Sequence, residues 1–238
     1  MMKIIFAHGD KGGIGKTEAA TRTAAAYLQA KKPLTMIDGD AKNPGLYRLF
    51  DTPESPVHCC NVLKTQGIEE MFELIASAKN DVLIDLPAGA SAATEKMQGG
   101  SAAEGSIDLG QILDAIGARA VVLFAIDQNP EPVAALRDEL SAFPIDLTDW
   151  VVVKNHREDR SFDLFDGSKT KDELTKKGGK TINMIRLDPV VTSRMTKDRL
   201  NLLTIQSDEN VSMISKIRAK SALRQWTEQL KSVGLLDG

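Results

Sequence analysis

Lys3-Ile4-Ile5-Phe6-Ala7-His8-Gly9-Asp10-Lys11-Gly12-Gly13-Ile14-Gly15-Lys16-Thr17 decides how the rest of the chain is read. A short apolar run enters a glycine-rich turn, and an alanine-rich helical stretch follows over Lys16–Ala30. The run reads as a buried strand. The turn fits G-x-x-x-x-G-K-[ST], with Gly9 or its neighbours opening it. Glycines let successive N–H groups face one anion, and a helix N-terminus adds partial positive charge. Lys16 then reaches the β- and γ-phosphates of a nucleotide, and the Thr17 hydroxyl holds Mg²⁺.

Outward from this loop, apolar runs alternate with helical patterns. Strands are expected over Lys3–His8, Leu34–Asp38, Val82–Asp85, Ala120–Ile126, Trp150–Lys154 and Thr181–Arg186. Helices are expected over Lys16–Ala30, Ile68–Lys79, Ile107–Ile116, Glu131–Ala142, Val190–Leu200 and Ser212–Val233. Val121–Phe124 and Val151–Val153 are continuously apolar, as strands covered on both faces are. This order predicts a doubly wound α/β fold: one domain over 1–238, a mostly parallel sheet, helices on both faces. Two stretches read as mobile segments at the ligand edge of the sheet: the Ala-, Gly- and Ser-rich 88–106, and the charged loop 156–180.

Composition narrows the classes of function. The 238 residues are 42% hydrophobic and 26% charged, enough for a full core. No apolar run approaches the ~20 residues of a membrane helix, and the N-terminus reads as a strand rather than a signal peptide. Cys59 and Cys60 are adjacent, a poor pair for a disulfide or metal site, so a reducing, cytoplasmic setting is expected. Aromatic residues, at 5%, are too few for a single-strand stacking platform. Residues 1–150 carry 13 Lys+Arg against 21 Asp+Glu, and residues 151–238 carry 17 against 12. A polyanion partner would therefore meet the C-terminal third.

Further carboxylates stand at strand ends. Asp38-Gly39-Asp40 closes the second strand, and spacing by two puts both carboxylates on one side of an extended chain. Asp81-Val82-Leu83-Ile84-Asp85-Leu86-Pro87-Ala88-Gly89 carries Asp85 to the same edge, where it can hold Mg²⁺ through water. Val151–Asn155 ends without the Asp of a guanine-specific N-K-x-D signal, and Asn155 offers donor and acceptor to adenine.

Lys11-Gly12-Gly13-Ile14-Gly15-Lys16-Thr17 resembles the deviant phosphate loop, K-G-G-x-G-K-[ST], of the ParA/MinD family of ATPases. The resemblance extends in order from Lys3 to about Ile205. It implies an ATP-sandwiched homodimer in which Lys11 reaches the partner's phosphates, with Lys11, Lys16 and Asp40 as the catalytic group. Asp40 would position or deprotonate the attacking water, and Thr17, Asp38, Asp40 and Asp85 would serve Mg²⁺ and its water shell. Nucleotide contacts carried over by the likeness are Lys11, Gly12, Gly13, Ile14, Gly15, Lys16, Thr17 and Glu18. Gly89 would sense the γ-phosphate within a switch segment 88–106, and Asn155 with Leu187, Asp188 and Pro189 would wall the base. Two positions depart from the pattern: Glu18, where relatives carry Thr or Ser, and Lys42, where the partition branch often has Gln.

The activity implied is slow, partner-stimulated hydrolysis of ATP by a dimerising switch in plasmid partition, DNA segregation, stability or conjugative transfer. A small partner protein encoded nearby and non-specific duplex DNA at the nucleoid are the expected partners. Arg194, Lys197, Arg199, Lys216, Lys220 and Arg224 are the DNA candidates, the last three falling at i, i+4, i+8 of one helix. Asp85-Leu86-Pro87-Ala88-Gly89 also resembles the MinD branch, so a membrane-cycling positioning ATPase is the first alternative. A low-turnover scaffold and a dethiobiotin-synthetase-like ligase follow. The apolar stripe Ile214, Ile217, Leu223, Trp226, Leu230 and Val233 reads as core packing. His8, His58 and His156 show no metal spacing.

Overall fold

The structure is a computed structural model that describes residues 1–98, 107–141 and 143–236. Seven strands form one sheet: β1 (Met2–His8), β2 (Leu34–Asp38), β3 (Val57–Cys59), β4 (Asp81–Asp85), β5 (Ala118–Ile126), β6 (Thr148–His156) and β7 (Lys180–Ile185). Their order is β3-β2-β4-β1-β5-β6-β7, and every pairing is parallel. A parallel neighbour must be reached by a crossover, so helices cover both faces.

The continuous apolar runs follow from this. Phe6, Ile84, Val122, Phe124 and Val152 point to one core, whereas Ile5, Leu83, Val121, Leu123, Val151 and Val153 point to the other. The first core is covered by α3 (Thr65–Ser77), α4 (Ser91–Met97), α5 (Leu109–Ala115), α6 (Pro130–Glu139), α7 (Asp163–Asp166) and α8 (Lys169–Lys176). The second is covered by α1 (Lys16–Gln29), α2 (Gly45–Phe50), α9 (Pro189–Asp198), α10 (Thr204–Ser207) and α11 (Met213–Ser232). Ala19, Ala20, Ala24, Ala25 and Ala26 are fully buried, and their small side chains let α1 lie close against the sheet.

The structure adds short elements to the sequence expectation. β3 is a three-residue edge strand and α2, α4 and α10 are brief helices, too short to show periodicity. The 156–180 stretch, expected as a loop, is helical over α7 and α8 because Phe162, Phe165 and Leu174 are buried among its charges. Lys154 reaches across to Asp166 at 2.6 Å. Of the expected switch segment 88–106, residues 91–97 form α4, and 99–106 lie outside the described residues.

α1 and α11 are joined by Trp226, which is 1% exposed and donates from Nε1 to Thr23 Oγ1 at 3.2 Å. The Arg22 guanidinium lies over its ring, 5.9 Å from the centroid. Trp226→Ala should cost about 3–5 kcal/mol, the usual range for emptying a buried aromatic site. Urea unfolding should show the loss as a lower midpoint at unchanged slope.

Candidate functional site

Strand register brings the acidic residues to the loop. Asp38 lies opposite Asp85, and Asp85 lies opposite Ala7, so β2, β4 and β1 end side by side. Gly39 N–H donates to the Asp85 carbonyl at 2.8 Å, locking this edge. The loop between β1 and α1 turns through Gly15 at φ +107°, left-handed backbone that favours glycine. A Cβ there would run into Asn155 Nδ2 and come within 2.8 Å of Met184 Cε. Gly45 is similarly constrained: a Cβ would run into the Thr17 methyl, so α2 packs directly on the loop's threonine.

Lys16 is buried and donates from Nζ to the Lys11 carbonyl at 3.0 Å, which sets its ammonium within the loop. Burial lowers its pKa, and the nearby Asp85, Asp10 and Asp40 oppose that shift. Asp85 is the most perturbed acid of the site, pushed up to about 8. Full burial is the main cause and the Asp38 charge adds to it, while the Thr17 hydroxyl and Lys16 work the other way. Asp85 Oδ1 has no hydrogen-bond partner, an orphaned buried acceptor beside the Thr17 hydroxyl. Hard oxygen donors with an unused lone pair fit Mg²⁺, which keeps most of its waters and takes only one or two protein ligands. No three His, Cys, Asp or Glu side chains converge as a direct metal cage among the described residues.

Asp38 has a structural duty that the sequence did not reveal. Its Oδ1 accepts from Asp40 N at 3.1 Å, and its Oδ2 accepts from Leu46 N at 2.8 Å and Tyr47 N at 3.0 Å. It anchors the start of α2, and these bonds partly offset the burial that raises its pKa. Asp40 is half-buried, with Oδ1 accepting from Lys42 N and Asn43 N at 3.1 and 3.0 Å. Lys42 therefore enters the site through its backbone rather than its side chain.

Glu18 pairs with Arg22 one helical turn on. Arg22 is 2% exposed and also donates to the Ile185 carbonyl at 2.8 Å. Lys11 is exposed, and its side chain makes no ion pair among the described residues. Gly89, expected to offer its N–H to a γ-phosphate, donates it to the Asp10 carbonyl at 3.1 Å, and Ser91 donates to Asp10 Oδ1 at 3.0 Å. Asn155 is buried and spends one N–H on the Ile14 carbonyl at 2.8 Å, bracing the loop. Asp188 caps α9 through Val190 N at 3.0 Å and meets Arg218 at 2.8 Å. Leu187, Asp188 and Pro189 line a cavity of about 510 Å³ with Arg22, Arg186 and Arg218. Leu187 also lines a second, of about 530 Å³, that reaches Thr17 and Glu18.

Two groups escaped sequence reasoning. Arg157 donates to the Gly13 carbonyl at 2.8 Å and stands 4.0 Å from Asp127; its spacing two residues after Asn155 was the available signal. His8, fully buried, places Nε2 at 3.1 Å from Glu139 Oε2, which also accepts from the Thr94 hydroxyl at 3.1 Å. Burial works to raise the Glu139 carboxyl, but His8, Ser91 and Thr94 outweigh it and hold it below its ordinary value. No sequence spacing announces that pair, because Glu139 comes from α6, which follows β5 far along the chain from β1.

Loop, sheet order and strand-end carboxylates together make this an α/β P-loop NTPase fold. No protein-family profile matches the chain. Protein MobD of Acidithiobacillus ferrooxidans is 23% identical over 228 residues, covering 94% of this chain and 93% of that protein. The septum site-determining protein MinD of Pyrococcus horikoshii, solved with Mg-ADP, superposes with a TM-score of 0.57 at 14% identity, over 100% of this chain and 98% of that one. The cell division ATPase MinD of Pyrococcus furiosus gives 0.55 at 15% identity, over 98% and 100%. The fold of the chain is the one these MinD ATPases share.

Asp85 supplies a test that needs no nucleotide. A carboxyl raised from about 4 to about 8 on folding is protonated in the folded state where the unfolded chain is ionised. Its contribution to stability is present below the unfolded pKa and is lost as pH climbs through the folded one. Asp85→Asn should flatten the decline of stability between pH 4 and 8, read by urea midpoints in metal-free buffer. An identical slope in parent and variant would show that Asp85 ionises freely.

Proposed function

We propose that the chain is a nucleotide-driven switch of the ParA/MinD type that binds and slowly hydrolyses ATP as a homodimer. The observation that carries this reading is Lys16, buried inside the loop among Asp85, Asp10 and Asp40, with Thr17 bonded to Asp85. A buried ammonium facing several carboxylates is suited to an anion and a cation arriving together. The Mg-ADP of the Pyrococcus horikoshii neighbour supports the same ligand pair here.

In this reading the loop N–H groups and Lys16 grip the β/γ oxygens, while Thr17 and Asp85 would hold Mg²⁺. Mg²⁺, when bound, supplies charge neutralisation across those oxygens. Asp40 orients water toward the γ-phosphorus and takes its proton, leaving ADP and inorganic phosphate. Lys11, exposed on the loop, adds a cation to the partner's phosphates, the work an arginine finger does elsewhere. Asn155 favours adenine over guanine with the N–H and carbonyl left after bracing Ile14. Glu18, tied to Arg22, leaves only its backbone N–H to the α-phosphate.

The biological setting in this reading is DNA segregation, plasmid stability or conjugative transfer, supported by the basic C-terminal third. Of the DNA candidates, Arg194 drops out because Asp198 takes its guanidinium at 2.8 Å and the Asn210 carbonyl at 3.0 Å. Lys197 and Arg199 are exposed at the end of α9 and are retained. Lys216, Lys220 and Arg224 share their face of α11 with exposed apolar side chains, which a phosphate backbone does not complement. Two cations per protomer give weak, salt-sensitive contact that dimerisation doubles.

Lys16→Ala should weaken a fluorescent ATP analogue at least ~100-fold, since one charge-assisted contact to phosphate in a buried site is worth about 3 kcal/mol. Lys11→Ala should bind the analogue within about threefold of the parent yet fail to dimerise with ATP in light scattering. Near-parental binding by the first variant removes the phosphate loop assignment, and equal dimer fractions for the second remove the sandwich. Asp40→Ala should bind ATP and dimerise but accumulate unhydrolysed nucleotide, read as a loss of phosphate release with the dimer intact.

A further inference from the structure

α11 separates a packing face from an outer face. Ser215, Ala219, Leu223, Trp226 and Leu230 are buried. On the opposite side, the first two turns expose Met213, Ile214 and Ile217 at 71, 62 and 60%. These side chains contribute little to the core, and three large apolar groups adjacent on a surface mark a contact site.

Their surroundings say what kind of contact. At 100° per residue, Met213, Ile217, Lys220 and Arg224 follow one another in a single stripe, with Ile214 beside Ile217 and Lys216 beside Lys220. No Asp or Glu occurs from Asn210 to Thr227, whereas Lys216, Arg218, Lys220 and Arg224 do. Arg218 is taken by Asp188, and the other three cations form no ion pair among the described residues. The stripe is thus apolar in its first half and cationic in its second. Duplex DNA would match the cations and leave the Ile and Met side chains uncovered. An anionic bilayer would meet Asp208 and Glu209 immediately ahead of the stripe, and the patch has no aromatic anchor. A helix with apolar residues on one side and carboxylates further along it matches both halves.

We propose that the first half of α11 docks an acidic amphipathic helix of a partner protein, with its apolar side chains on Met213, Ile214 and Ile217 and its carboxylates on Lys216, Lys220 and Arg224. The proposal does not depend on the nucleotide reading, because the patch is formed in the single chain.

The probe is a fluorescein-labelled synthetic helix with Leu and Ile on one face and Glu along its flank, titrated with the full chain by anisotropy. A scrambled peptide of the same composition, a short DNA duplex, and phosphatidylglycerol–phosphatidylcholine vesicles run in parallel. ATP-analogue affinity is measured on the same samples, so that failure of the phosphate loop shows separately. The patterned peptide should bind at least ~10-fold more tightly than the scrambled one. Ile214→Ser with Ile217→Ser, and Lys220→Glu with Arg224→Glu, should each weaken it ~10-fold at an unchanged melting temperature. Hydrogen exchange should slow at residues 213–224 only with the patterned peptide. Equal binding of patterned and scrambled peptides, or unchanged affinity in both variants, overturns the proposal. So does tighter binding of vesicles or duplex that the Ile214→Ser, Ile217→Ser variant abolishes, or a concentration-dependent self-association lost in that variant, which would assign the face to lipid, DNA or a second copy.

Discussion

The carboxyl group of Asp85, buried at the end of β4, is the constraint around which the site is arranged. A desolvated acid is tolerated only where neighbours compensate it. Here Thr17 and Lys16, both delivered by the turn into α1, offset part of that cost, and the carboxyl meets the rest by holding its proton up to about pH 8. The parallel register fixes the rest: placing Asp85 beside Ala7 on one side and Asp38 on the other sets the loop, the second aspartate and α2 around one point. A slip of one residue in β4 would turn Asp85 toward the other face of the sheet and disperse the cluster.

Held this way, the loop is a well-braced part of the molecule. Asn155 holds Ile14 from β6, Arg157 holds Gly13, and Asp10 is tied to Gly89 and Ser91 at the start of α4. The braces come from three directions and use backbone carbonyls as acceptors in all but one case. None of these braces draws on an N–H group of the turn itself.

Much of this was legible in the sequence, for identifiable reasons. Sheet strands covered on both faces write themselves as unbroken apolar runs, so β1, β2, β4, β5 and β6 fall close to their expected places. The phosphate loop was legible because glycine spacing, lysine and threonine are demanded together by one local geometry. The rest lay in long-range pairing. Nothing adjacent to Glu139 points to His8, and nothing near Asp38 shows that its oxygens would be used by Leu46 and Tyr47. α7 and α8 hide Phe162, Phe165 and Leu174 inside a charge-rich stretch, where composition speaks for a loop and only packing reveals the helices. Nor does the sequence near Asp188, expected to wall a base, show that its carboxylate caps α9 and pairs with Arg218.

The Glu18–Arg22 pair has a consequence for how such a sequence can drift. Arg22 is sealed between α1, the end of β7 and the Trp226 ring, and Glu18 is the carboxylate in contact with it. Thr or Ser at position 18 would leave a sealed guanidinium with only a carbonyl and a ring for company. Changing Arg22 first would leave Glu18, itself partly exposed, without its ion-pair partner. Either single change removes the ion pair, so the two positions are energetically coupled. Position 18 is thereby tied to the architecture of α1 and α11 as much as to the loop that it borders.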